Sequence, residues 1–96
     1  MPIFEWDAEK AKANCRKHGI AFETATQVFD DPSAVELMDE LSGDYGEERF
    51  LMIGLSKGHL MLTVVYTERE ENIRIISARR ATRAERDNYQ SQNAKD

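Results

Sequence analysis

Apolar residues follow two rhythms along the chain, and the change between them falls at Pro32. Before it the spacing is mostly helical. Residues 2–6 are short, aromatic and β-branched, Pro2-Ile3-Phe4-Glu5-Trp6, and predict a first strand. Asp7 suits a helix N-cap, Ala8, Ala11, Cys15 and His18 follow at helical spacing, and Gly19 stands where a helix stops. A second helix is predicted over 22–29, with Phe22, Ala25, Val28 and Phe29 on one side. Asp30-Asp31-Pro32 ends it, because proline disfavours helix in the residue before it.

After Pro32 the pattern is that of strands. They are predicted over 35–41, 49–56, 59–68 and 73–79, with turns at Ser42-Gly43-Asp44-Tyr45-Gly46, at Lys57-Gly58 and at Glu70-Glu71-Asn72. Thr82 and Glu85 have the spacing of a capping box and start a last helix that runs to about residue 92. The order β-α-α-β-β-β-β-α predicts one α+β domain over residues 1–96, an antiparallel sheet with its helices packed on one face. Two strands complicate that picture. Leu60, Leu62, Val64 and Tyr66 alternate with Met61, Thr63, Val65 and Thr67, and Phe50, Met52 and Gly54 alternate with Leu51, Ile53 and Leu55. A sheet with one wet face should alternate between apolar and polar, and these strands are apolar on both sides. Either the helices reach around the sheet or a partner covers its second face.

Composition fits a folded domain: 41% of the residues are hydrophobic, and no apolar run approaches the ~20 residues of a membrane span. The N-terminus carries acids where a secretory signal carries bases, and Cys15 is the single cysteine, so a reducing cytoplasm is expected. The net charge of −5 is unevenly spread. Residues 1–48 hold 4 Lys/Arg against 12 Asp/Glu, whereas residues 49–96 hold 9 against 6. Such asymmetry fits a polyanion-binding surface in the second half, or simply a solvated exterior.

The chemistry open to these residues is narrow. One cysteine and two histidines make no metal-ligand cluster, and neither a phosphate-binding loop nor a dinucleotide motif is present, so no cofactor is expected. Asp30, Asp31, Asp39 and Glu40 could at most form a carboxylate magnesium site, although acid runs beside turns are ordinarily solvated. Cys15, in a row with Ala8 and Ala11, reads as a small core residue rather than a nucleophile. There remain His18, Glu48, Arg49, Tyr66, Glu68, Arg69, Arg74, Arg79, Arg80, Arg83 and Tyr89. RNA brings its own nucleophile, the 2′-hydroxyl. A protein that cuts it must supply a base, a cation for the pentavalent phosphorane and an acid for the leaving oxygen. The planar fork of arginine grips two phosphate oxygens at once. Arg79 ends the row Ile73, Ile75, Ser77, so it meets either an anionic ligand or a carboxylate of the protein. His18, last on its apolar stripe, is either packed or functional.

The segments F-E-W-D at 4–7, N-C-R-K-H-G-I at 14–20, F-E-T-A at 22–25, V-F-D-D-P at 28–32, G-E-E-R at 46–49, V-V-Y-T-E-R at 64–69 and I-R-I-I-S-A-R at 73–79 resemble the BrnT family, as does A-T-R-A-E-R at 81–86. These are the toxins of the BrnT/BrnA type II toxin–antitoxin system. The resemblance implies a RelE-like fold and a metal-independent endoribonuclease. It further implies inhibition in a hetero-oligomer by a BrnA-like ribbon–helix–helix antitoxin, through which alone operator DNA is contacted. By motif position it implies His18, Arg49, Arg69 and Arg79 as catalytic residues; with it the basic second half becomes an RNA-binding surface, for which Tyr66, Arg74, Arg80 and Arg83 are the candidates. Ala21 departs from the serine or aspartate of many relatives and weakens a helix cap by roughly 0.5–2 kcal/mol. The alternative is a non-catalytic module that binds a partner within a repressor complex.

Overall fold

The structure, a computed structural model, describes residues 3–39 and 48–94. The elements are β1 (Ile3–Glu5), α1 (Ala8–His18), α2 (Phe22–Thr26) continuing into a 3₁₀ turn (Gln27–Asp30), β2 (Val35–Met38), β3 (Phe50–Leu55), β4 (Met61–Arg69), β5 (Asn72–Arg80) and α3 (Arg83–Asn93). The α+β class and the order of elements are those expected. The turn expected at 42–46 and the end of the strand expected at 35–41 lie outside the described residues. None of the described helices is long and apolar enough to cross a membrane.

Local signals account for the helix ends. The Asp7 carboxylate accepts hydrogen bonds from the backbone N–H groups of Glu9 and Lys10, which also holds its pKa below the usual range. Gly19 closes α1 at φ +73°, a conformation that costs a residue with a Cβ. Ala21 caps α2 without any side-chain bond. At α3 the Thr82 and Glu85 side chains each bond the other's backbone N–H, completing the capping box.

The five strands lie in the order β1-β5-β4-β3-β2, with β1 parallel to β5 and every other pair antiparallel. One face is the core. Leu62, Val64, Ile75 and Ala78 meet Ile20, Phe22, Ala25 and Val28, with Phe4, Trp6, Phe29 and Met52 around them. A register shift between Val65 and Tyr66 lets Ile75 and Ala78, three residues apart, share that face. Gly54 permits close approach there, since a Cβ on it would stand 2.8 Å from Val28 Cγ1.

Two expectations are corrected. The inward row of α1 is Ala11, Asn14 and His18, with Asn14 buried, while Ala8 and Cys15 are exposed. A buried asparagine is invisible to an apolar-spacing argument, because its burial depends on partners elsewhere in the chain. Nor do all helices pack on one face. Thr63 and Arg79 pair across β4 and β5 and both bond Glu85 of α3, while their neighbours Val64 and Ala78 point into the core. Alternation along the strands therefore puts α3 on the opposite face from α1 and α2. It covers Ile53 and Thr63, both 0% exposed.

Candidate functional site

Three strands bring the candidate arginines to that second face. Arg69 pairs with Asn72, Thr67 with Arg74 and Thr63 with Arg79, and each pair points to the side away from the core. Glu5 on β1 sits opposite Arg74 and adds a carboxylate to the row. Arg49 continues the alternation of β3 beyond Phe50, on the side of Leu51, and its carbonyl accepts from Asp39 N–H. Arg49, Arg69, Arg74 and Arg79 thus share one face, and α3 is the one described helix that overlies it.

Arg79 is held firmly. Its guanidinium makes a bidentate pair with Glu85, at 2.7 and 2.9 Å, and also donates to the Arg80 carbonyl at 3.4 Å. Glu85 further accepts from Thr63 Oγ1 and from Thr82 N–H, each at 2.8 Å. Arg79, with help from those donors, holds the Glu85 carboxyl down at about 2, and Glu85 in turn raises the Arg79 pKa. Of the two outcomes foreseen for Arg79, the structure contains the carboxylate partner.

At the other end of β5, Arg74 bonds Glu5 at 2.9 Å and Asn72 bonds the same carboxylate at 3.1 Å. Those bonds, Asn72 first, lower the Glu5 pKa. Arg69 is exposed at the end of β4, where with Glu5, Glu70 and Asn72 it lines an open cleft of about 450 Å³. Arg74 and Arg79 lie five residues apart on one strand, roughly 17 Å. The candidates therefore form two groups. Arg69, Arg74 and Arg49 gather near the β4–β5 turn. Arg79, with the exposed Arg80 and Arg83, gathers where β5 passes into α3.

His18 belongs to neither by chain position. It ends α1 on the core side, is half-buried, and its imidazole makes no hydrogen bond among the described residues. Tyr66 is a core residue, 2% exposed. Its ring contacts Phe29 and Phe50, its hydroxyl donates to Glu36, and burial with that carboxylate raises its pKa. A ring so enclosed cannot stack on a base, so its candidacy as an RNA contact is withdrawn.

Sequence reasoning missed the residues that seat α3. Asp31, read as part of a solvated acid run, accepts from Ser33 and Leu55 N–H and from the Tyr89 hydroxyl at 2.9, 2.9 and 2.8 Å. Burial works against its charge, yet these three donors outweigh it and lower its pKa. The Asp-x-Ser spacing was the available signal, since aspartate commonly bonds the N–H two residues on. No group of three His, Cys, Asp or Glu side chains among the described residues is placed to hold a metal ion.

Comparison with known proteins adds two findings. Residues 6–85 match the family described as the ribonuclease toxin, BrnT, of the type II toxin–antitoxin system. Among solved structures the chain matches that of the Brucella abortus ribonuclease toxin BrnT with a TM-score of 0.67 at 22% identity, over 86% of this chain and 100% of that one. At that identity the likeness establishes the fold. No curated protein matches by sequence.

Proposed function

The chain belongs to the BrnT family of ribonuclease toxins of type II toxin–antitoxin systems, and from that premise we propose that it cuts RNA without a metal ion, through its own arginines and His18. The observation that carries this reading is the row of Arg49, Arg69, Arg74 and Arg79 along one sheet face. A phosphodiester needs cationic donors of this kind, and a single-sided row can follow a strand of RNA.

The 2′-oxygen attacks phosphorus as its proton passes to a base, and the bond to the 5′-oxygen breaks as that oxygen gains a proton. A 2′,3′-cyclic phosphate and a free 5′-hydroxyl result. The proton transfer is assigned to His18 by its motif position, although α1 carries it on the face of the sheet away from Arg79. Arg79 stabilises the phosphorane. Its guanidinium has five N–H donors, of which Glu85 and the Arg80 carbonyl occupy three, so two remain for phosphate oxygens. Arg80 and Arg83 extend that cationic end, and Arg49, Arg69 and Arg74 hold the strand further along.

A type II toxin acts with an antitoxin partner. We assign that partner a BrnA-like ribbon–helix–helix antitoxin, which alone contacts operator DNA. It docks on the part of the arginine-bearing face that α3 leaves open, where Leu37, Leu51 and Val65 are half-buried.

A second reading, a partner-binding module without catalysis, draws on the closed Arg79–Glu85 and Arg74–Glu5 pairs. Incubating the purified protein with RNA separates the two, since only the first yields cleavage. Activity that survives excess EDTA supports the proposal, and intact RNA or EDTA-sensitive cleavage overturns it.

A further inference from the structure

We propose that Asn14 is a positioning residue of the cleavage site, which ties the end of α1 that carries His18 to the strand that carries Arg79. This rests on the reading that His18 moves the proton.

Asn14 lies in the middle of α1 and is 7% exposed. Its Oδ1 accepts from Ala78 N–H at 3.1 Å, and its Nδ2 donates to the Ala78 carbonyl at 2.8 Å and to the Ile20 carbonyl at 3.1 Å. Among the described residues β1 pairs with β5 at Asn72, Ile73 and Arg74. Beyond Arg74 the edge of β5 has no neighbouring strand on that side among the described residues, and at Ala78 the Asn14 amide supplies the donor and acceptor that a strand would.

Few side chains can do this. Only the planar amide of asparagine or glutamine presents an acceptor and two donors together. Aspartate would keep the acceptor and lose both donors, and leucine would lose all three bonds. A buried amide is tolerated when every bond is made, as here.

The placement of those bonds points to a role beyond folding. Ala78 immediately precedes Arg79. His18 is one turn after Asn14 on the same side of the helix, about 6 Å along its axis. The bond to Ile20 closes the chain just past His18, so the histidine lies between two points fixed by one side chain. Catalytic groups displaced by about 1 Å can lose on the order of 100-fold in rate. The cost of a looser Asn14 should therefore fall on the chemical step.

The test is a double-mutant cycle on RNA cleavage with Asn14→Asp, Asn14→Ala and His18→Ala, each checked for folding by far-ultraviolet circular dichroism. Asn14→Asp should lower kcat about 10–100-fold with KM changed less than about two-fold, and should cost nothing further in the His18→Ala background. A folded Asn14 variant with the parent rate overturns the proposal. So does a loss that multiplies fully with that of His18→Ala, or failure of both Asn14 variants to fold, which makes Asn14 a folding residue only. His18→Ala with parent activity overturns it too, while leaving the ribonuclease reading intact. That reading fails separately, if the parent protein does not cleave RNA.

Discussion

The two faces of the sheet are covered in opposite ways. On one, α1, α2 and the 3₁₀ turn bury a dry cluster in which Phe22, Ala25, Val28, Leu62, Val64 and Ala78 are each 0% exposed. On the other, α3 buries none of its own residues. It is held by Arg79 and Thr63 on Glu85, by Tyr89 on Asp31 and by Asn93 on the Ser33 carbonyl. The Oδ1 of its own Asn88 is enclosed without a hydrogen-bond partner among the described residues. Apolar burial contributes about 1.5–3 kcal/mol per large side chain, whereas a net hydrogen bond contributes about 0.5–1.5. The first face therefore holds the fold, and the second can carry arginines because its cover never had to be dry.

The contrast breaks first at the core. Phe22→Ala should destabilise by about 3–5 kcal/mol in chemical denaturation, since it empties a site enclosed by α2, Trp6 and the sheet. Arg79→Ala should do the reverse, with the fold retained and cleavage reduced about 10²–10³-fold, the usual loss when one oxyanion contact goes. A variant that simply unfolds would make Arg79 structural. Gly54→Ala sharpens the packing argument. Its Cβ would meet Val28, and a cost of about 1–3 kcal/mol is expected for a single added methyl group.

Effects at α3 should be smaller. Tyr89→Phe removes the bond to Asp31 and should cost about 0.5–1.5 kcal/mol, seen as faster hydrogen exchange in α3 than in β4. Acid should produce the same order of events. Glu85 is held at about 2 in the folded protein against 4.5 when unperturbed. A carboxylate lowered in this way contributes stability above its unfolded pKa, and that contribution is lost as pH falls from about 4.5 toward 2. Glu5 and Asp31 are lowered as well and act in the same direction. Amides of α3 should lose protection in that window before those of β4.

How much of this could be read from the chain follows from the same contrast. The core face was legible at α2 because that helix repeats apolar residues, and Asp7, Gly19 and the Thr82–Glu85 box marked three helix ends. The inner row of α3 was not legible, because Glu85 and Tyr89 are polar and reveal themselves only through partners 22 and 58 residues away. Glu85 was read as a cap, and its second role as the partner of Arg79 depends on tertiary position. Asn14 was missed for the same reason, with its partner Ala78 lying 64 residues away. The arginines were recognisable as residue types. Their common face required the register of three strands and a bulge at Val65/Tyr66. Tyr66 was misassigned because an aromatic beside arginines looks like a stacking platform, whereas the alternation of β4 turns it inward.

The central claim is that arginines and His18 on this scaffold cut RNA by attack of its own 2′-hydroxyl. The most direct measurement is to digest a defined RNA with the purified protein in excess EDTA and determine the ends of the fragments. The account predicts 2′,3′-cyclic phosphate, or the 3′-phosphate formed when that ring opens, facing a 5′-hydroxyl. Fragments with 3′-hydroxyl ends, which arise when water attacks in place of the 2′-oxygen, would contradict it.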